Sequence, residues 1–205
     1  MCFTYKLNKS AKAIEERFVA EVVHKQGNMF FEQPQGSFNG FIHPQMPVIT
    51  SKEPNLIQFF EWGLIPYWAK DKNFQNNTLN ARLENISEKP SFKGCINNRC
   101  LIPADGFFEW QWLDNKGKNK QKYLLDFPNH EIFAFAGLWS TWKDKQTGIL
   151  LNTFSIITTE ANELLSIIHN SKKRMPVIIK KDNEKDWLNE GRIVLWNDDL
   201  IATKI

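Results

Sequence analysis

The sequence predicts an α+β fold with a curved, mostly antiparallel sheet flanked by helices. Strand-like segments rich in β-branched and aromatic residues outnumber the helical ones. The helical segments do not alternate with them in the regular way that a doubly wound parallel sheet requires. Two short polar turns join consecutive strand-like runs, which marks antiparallel hairpins.

In chain order, the spacing of Ile14, Phe18, Val22 and Val23 predicts a helix over 11–23. Residues 27–55 are rich in Gly, Pro, Asn and Gln and read as loop with short extended pieces. The expected strands are 56–64, 100–110, 122–127, 132–142, 150–158 and 176–179. Residues 115–118 (Asn-Lys-Gly-Lys) and 145–148 (Lys-Gln-Thr-Gly) are the turns. Thr159 is placed to cap a helix over 161–168, with Glu160 in its first turn, and Asp182 to cap a short helix ending at Gly191. A length of 205 residues suits one sizeable domain, and no repeat or Pro/Gly-rich linker divides it.

Composition narrows the function classes. Lys and Arg number 26 against 23 Asp and Glu, a net charge of 26 − 23 = +3, which permits an anionic partner without demanding one. The cations are clustered: Lys116, Lys118, Lys120 and Lys122 alternate, and Lys172, Lys173 and Arg174 run together ahead of Lys180 and Lys181. Such runs are usually solvated faces. With aromatics at 13%, they also fit single-stranded nucleic acid. Three cysteines, Cys2, Cys95 and Cys100, argue against a disulfide framework and for a reducing compartment. The C-x4-C pair at Cys95 and Cys100 has no second pair, so no zinc site or other metal is expected, and both read as core or loop thiols. No signal-peptide pattern opens the sequence, and the longest apolar run, 132–139, is too short for a membrane span. A cytoplasmic protein is expected, with no cofactor, no membrane partner and no evident oligomer interface.

Five places carry chemistry. Cys2 follows Met1, and removal of Met1 would expose a residue bearing both a thiol and an α-amine, with reference pKa values of about 8.5 and about 7.7–8.0. Such an aminothiol can act as a cysteine hydrolase or close on an aldehyde to form a ring. Extended residues 80–84 would put Asn80, Arg82 and Glu84 on one face, an amide and a guanidinium suited to a phosphate, or else an ordinary polar face. Glu109, between Phe108 and Trp110, has the setting of a desolvated carboxyl with a raised pKa. His169, at a helix C-terminus, could move protons, although by itself it reads more readily as a dipole-stabilised surface residue. Residues 61–68, with Trp62, Tyr67 and Trp68, make either a stacking platform for bases or a packed turn.

These pieces in this order resemble the SRAP (SOS-response-associated peptidase) family. The matching stretches are MC at the start, WGLIPYWAKD at 62–71, NAR at 80–82, RCLIPADGFFEW at 99–110 and RMPVII at 174–179. The resemblance implies a single α+β domain over 1–205 with a basic cleft for single-stranded DNA. It further implies covalent capture of abasic sites, in which the N-terminal cysteine and the ring-opened deoxyribose aldehyde form a thiazolidine that shields the lesion. By that resemblance the reacting residues are Cys2, Asn80, Glu109 and His169. DNA contact falls to Arg82, Trp68, Pro44, Lys172, Lys173 and Arg174. The implied partner is single-stranded DNA containing abasic sites, bound by a monomer that associates with the nucleoid through that DNA. Lyase or self-directed peptidase activity is also implied, and an N-terminal cysteine hydrolase is the alternative. The chain departs from the family pattern in having Phe3-Thr4 where Gly-Arg is commoner, five positions from His169 to Arg174, and Lys89 or Lys93 where a second phosphate-binding arginine is seen.

Overall fold

The computed structural model describes residues 2–23, 35–196 and 199–205. The elements are β1 (Thr4–Leu7), α1 (Ala11–Phe18), β2 (Glu21–Val22), β3 (Gly36–Asn39), β4 (Gln45–Thr50), β5 (Leu56–Trp62) and β6 (Asn80–Arg82). They continue with α2 (Pro90–Lys93), β7 (Arg99–Ala104), β8 (Gly106–Trp112), β9 (Lys120–Asp126), β10 (Phe133–Lys143) and β11 (Leu150–Glu160). The last are α3 (Glu163–Ile168), β12 (Arg174–Pro176), β13 (Ile178–Ile179), α4 (Glu184–Glu190) and β14 (Ile201–Lys204). Sheet dominates and helices are few. Among the described residues, no helix is long and apolar enough to cross a membrane.

Two sheets form. One is antiparallel, in the order β14-β9-β8-β1-β3. The other runs β12-β11-β10-β7-β4-β5-β2, and a parallel pairing of β11 with β5 (Thr153 beside Glu61, Phe154 beside Trp62) closes its middle strands into a barrel. Closure removes the exposed edges an open sheet would present. It also crowds the interior at Gly137, where a Cβ would lie 2.4 Å from Ile102 Cδ1 and 2.8 Å from the Ser155 carbonyl oxygen. The antiparallel sheet packs on the barrel through rings: Tyr5 against Trp62 (5.2 Å between centroids) and Phe135 (5.7 Å), and Phe107 against Phe135 (5.9 Å). Each such fully buried aromatic contributes on the order of 2–3 kcal/mol.

The hairpins form where the turn chemistry places them. Asp114 accepts from the backbone N–H of Lys116, Lys118 and Asn119, and Gly117 takes φ 63° between β8 and β9. Gly148, at φ 74°, turns β10 into β11.

Several elements differ from the expectation, each for a physical reason. The helix expected to reach Val23 stops at Phe18, because Val19 adopts a left-handed φ of 52°. Glu21 and Val22 then extend the barrel sheet beside β5. Of the loop expected over 27–55, residues 27–34 lie outside the described residues, as does Met1 with its expected removal. Within the remainder, β4 is a true barrel strand, buried from Met46 to Thr50 between β5 and β7. The single strand expected over 100–110 is two strands in different sheets, broken at Asp105. The Asp105 carboxylate accepts from the Asn8 N–H at 2.7 Å and lies 3.6 Å from the Lys6 ammonium. No composition change marks the break, since both strands are buried on their core sides.

Thr159 and Glu160 do not open the next helix. They end β11, where Glu160 pairs with Arg174, and Asn162 caps α3 by accepting from the Leu165 N–H at 2.9 Å. Asp182 lies in a 3-10 turn, and α4 begins two residues later at Glu184, closing at Gly191 (φ 76°) as expected. The segment 176–179 splits, β12 pairing with β11 and β13 with β10.

Candidate functional site

Glu109 projects from the buried side of β8 and is 3% exposed, so it is not an edge carboxylate turned to water. Burial, the dominant cause, pushes its pKa up to about 7. At neutral pH the carboxyl therefore samples both its protonated and ionised forms. Phe108 and Trp110 flank it, and the Lys122 ammonium lies 4.1 Å from the Phe108 ring centroid and 5.8 Å from that of Trp110.

His169 stands beside Glu109 because α3 is tied to β8. Gln111 Nε2 donates to the Ile167 carbonyl at 3.2 Å. The Asn170 amide makes a reciprocal pair with the backbone of Trp112, at 3.0 and 2.9 Å. His169 closes the helix, its N–H donating to the Leu165 carbonyl at 2.7 Å. It is 8% exposed rather than a surface residue, and burial is the main reason its pKa falls to about 4. Its Nδ1 lies 2.8 Å from the Arg174 carbonyl oxygen and 3.9 Å from Glu109 Oε1. The Arg174 N–H also approaches Nδ1, at 3.4 Å, but a carbonyl only accepts, and the shorter 2.8 Å contact assigns the neutral ring's proton to Nδ1 and leaves Nε2 as the acceptor.

Cys2 is fully buried at the head of β1. Its sulfur lies 3.9 Å from the Thr4 carbonyl oxygen. Burial first, and the nearby Glu109 charge second, push the thiol well above its usual range. The thiol thus ionises only when a base takes its proton. Asn80 opens β6, opposite Ile156 of β11, and both polar atoms of its amide are buried without a hydrogen-bond partner among the described residues.

The residues expected to meet DNA divide. Arg82, Lys172 and Lys173 are exposed. Trp68 is 42% exposed, its ring edge-on to Phe74 at 5.1 Å, and Pro44 is half-buried with its carbonyl accepting from the Trp62 N–H at 3.0 Å. Trp62, read as part of a stacking platform, is fully buried and stacked on Phe154.

Arg174 is a correction. It is 7% exposed, and its guanidinium makes two bonds of 2.9 Å to the Glu84 carboxylate and one of 2.8 Å to the Thr158 carbonyl. It braces the site from behind and is not a free phosphate contact. Glu84 correspondingly sits in the turn after β6 and not on a shared face with Asn80 and Arg82, and hydrogen bonds from Arg174 hold its pKa down to about 2 against the opposing cost of burial. Sequence reading missed this pairing, since 90 residues separate the partners.

Cys95 and Cys100 are buried thiols, as expected.

A model of the family described as SOS response associated peptidase (SRAP) matches residues 1–201. Abasic site processing protein YoqW of Bacillus subtilis is 46% identical over 145 residues, a match covering 70% of this chain and 62% of that protein. Abasic site processing protein HMCES of Gallus gallus is 33% identical over 175 residues, covering 74% of this chain and 50% of its own. The matched region thus spans about three fifths or less of these relatives. A crystal structure from Bacteroides thetaiotaomicron superposes with a TM-score of 0.85 at 33% identity, covering 100% of this chain and 92% of that one. Another, from Bordetella bronchiseptica, shares the fold at a TM-score of 0.79 and 20% identity, covering 100% of this chain and 99% of that one.

Proposed function

The chain belongs to the SOS response associated peptidase family, and from that premise we propose that it captures abasic sites in single-stranded DNA as a covalent thiazolidine on Cys2. The observation that carries the reading is the juxtaposition of a buried Cys2 with a carboxyl whose pKa is about 7. Relatives named abasic site processing proteins support the substrate.

The chemistry follows from the groups in place. Removal of Met1 frees the Cys2 amine. His169, neutral at physiological pH, accepts the anomeric hydroxyl proton through Nε2 and returns it to the ring oxygen as the sugar opens to its aldehyde. The amine adds to the aldehyde carbon, giving a carbinolamine. Glu109, as the acid, protonates the carbinolamine hydroxyl, which leaves as water, and the C=N bond forms. Glu109, now a carboxylate, takes the thiol proton while sulfur bonds to the same carbon and the C=N electron pair returns to nitrogen. The five-membered ring closes with one water lost overall. Attack from within a single residue gives a high effective concentration. Asn80 holds the sugar through its buried amide. Arg82, Trp68, Pro44, Lys172 and Lys173 form the basic, aromatic approach for the strand, and one SRAP domain carries the whole device.

A cysteine-hydrolase reading is less well supported. The Cys2 sulfur has the Thr4 carbonyl as its hydrogen-bond partner rather than an imidazole, and its raised pKa keeps it a thiol.

Incubation of the mature protein with an abasic oligonucleotide tests the proposal. An adduct that survives denaturation and disappears in Cys2→Ala is expected. No adduct, or an equal yield from Cys2→Ala, defeats it. Turnover of peptides or amides without DNA, partly retained in Cys2→Ser, would favour the hydrolase.

A further inference from the structure

Tyr5 is fully buried, and its hydroxyl has no hydrogen-bond partner among the described residues. Its ring is enclosed by other rings, with centroids at 5.2 Å for Trp62, 5.7 Å for Phe135 and 6.2 Å for Phe38. A phenylalanine would make all of these contacts. The hydroxyl therefore adds a desolvation cost that no bond offsets, although a buried tyrosine O–H ordinarily finds an acceptor.

The position of Tyr5 suggests what the hydroxyl is for. Tyr5 pairs with Phe107 across β1 and β8. Alternate residues of a strand share a face, so Glu109 projects from the same face as Phe107 and is a diagonal neighbour of Tyr5. Cys2 lies three residues before Tyr5, close enough that a thiolate there would raise the phenol pKa further. Cys2 and Tyr5 are both 0% exposed and Glu109 is 3% exposed, so all three side chains are shut off from solvent.

We propose that Tyr5 is a further catalytic residue, whose hydroxyl donates a hydrogen bond to the aldehyde oxygen as the Cys2 amine adds to the adjoining carbon. The inference rests on the crosslinking reading above. As the C–N bond forms, the carbonyl π pair moves onto oxygen, which becomes the stronger acceptor. Tyr5 keeps its own proton throughout, and Glu109 supplies the one that leaves with water. A donor that gains strength as charge builds lowers the barrier more than it tightens binding. Burial raises the phenol pKa, which keeps it a neutral donor.

Tyr5→Phe tests this, because it removes one oxygen from an otherwise unchanged ring. Three readouts are needed: the single-turnover crosslinking rate, the thermal midpoint, and the affinity for a strand carrying a tetrahydrofuran abasic analogue, which has no aldehyde. The expected result is a rate lower by about 100- to 1,000-fold, a midpoint equal to or above that of the parent, and unchanged affinity. A parent-like rate in Tyr5→Phe overturns the inference while leaving the crosslinking reading intact. A lowered midpoint overturns it too, since the hydroxyl would then have a structural partner. A parent protein that forms no adduct removes the crosslinking reading and this inference with it.

Discussion

In the proposed reaction Glu109 acts through one property, a pKa of about 7 imposed mainly by burial. The proposed mechanism needs it protonated to release water and ionised to take up the thiol proton, so the crosslinking rate should rise as the Cys2 amine loses its proton and fall as Glu109 loses its own. A rate maximum near neutrality is expected, and Glu109→Gln should lower the rate by roughly 10²-fold or more and remove the falling limb. A rate–pH series on parent and variant checks both. Arg82, exposed two residues after Asn80, has a different proposed contribution, contact with a DNA phosphate. Arg82→Ala should weaken binding to every strand alike and lower the slope of log affinity against log salt by about 1, read from titrations at several salt concentrations. The burial and raised pKa of Glu109 are legible in the sequence because two aromatics flank it. The burial of Arg174 is not, because its run with Lys172 and Lys173 reads as surface charge, whereas it depends on Glu84 folding back from a distant turn.

At the level of elements, two features bear on how the site is held. Gly137 lets β10 pass β7 and β11 inside the barrel, and a methyl group there would meet Ile102 and the Ser155 backbone. Gly137→Ala should cost about 1–3 kcal/mol, seen in chemical denaturation. The second feature is the Arg174 brace between β12, β11 and the turn after β6. Arg174→Met should destabilise by about 2–4 kcal/mol, because truncation abandons both Glu84 and the Thr158 carbonyl. Glu84→Gln, whose side chain is 40% exposed and keeps one acceptor, should cost about 1 kcal/mol or less. The strand cores of 56–62, 120–126, 133–143 and 150–160 are readable from β-branched and aromatic content. Their partners are not, and the switch of sheets at Asp105 leaves no trace in an apolar run buried on both sides of the break.

For the molecule as a whole, two buried groups pull the pH dependence of stability in opposite directions. Glu109 has a folded pKa of about 7 against an ordinary 4.5, so the folded state holds the extra proton and stability falls as pH rises from 4.5 to 7. His169 has a folded pKa of about 4 against 6.5, so the unfolded state holds the extra proton and stability is lost as pH falls from 6.5 to 4. Between pH 4.5 and 6.5 the two nearly cancel. Thermal midpoints over that range should therefore be flatter for the parent than for either variant. Those of His169→Gln should drop with rising pH, and those of Glu109→Gln should climb. The α+β expectation is met in its mostly antiparallel pairing, whereas barrel closure rests on the long-range contact of β11 with β5, which no local pattern encodes.

The place of β1 has a mechanical consequence. It is flanked by β3 along Thr4–Leu7 on one side and by β8 at Tyr5 and Lys6 on the other. If DNA is tethered at Cys2, consider a pull on it that acts along the axis of β1. The load then falls on both ladders at once, in shear, and they cannot be unzipped one bond at a time from an edge. A motor hauling on the adduct would have to slide that strand out whole, so the attachment should hold until much of the antiparallel sheet gives way.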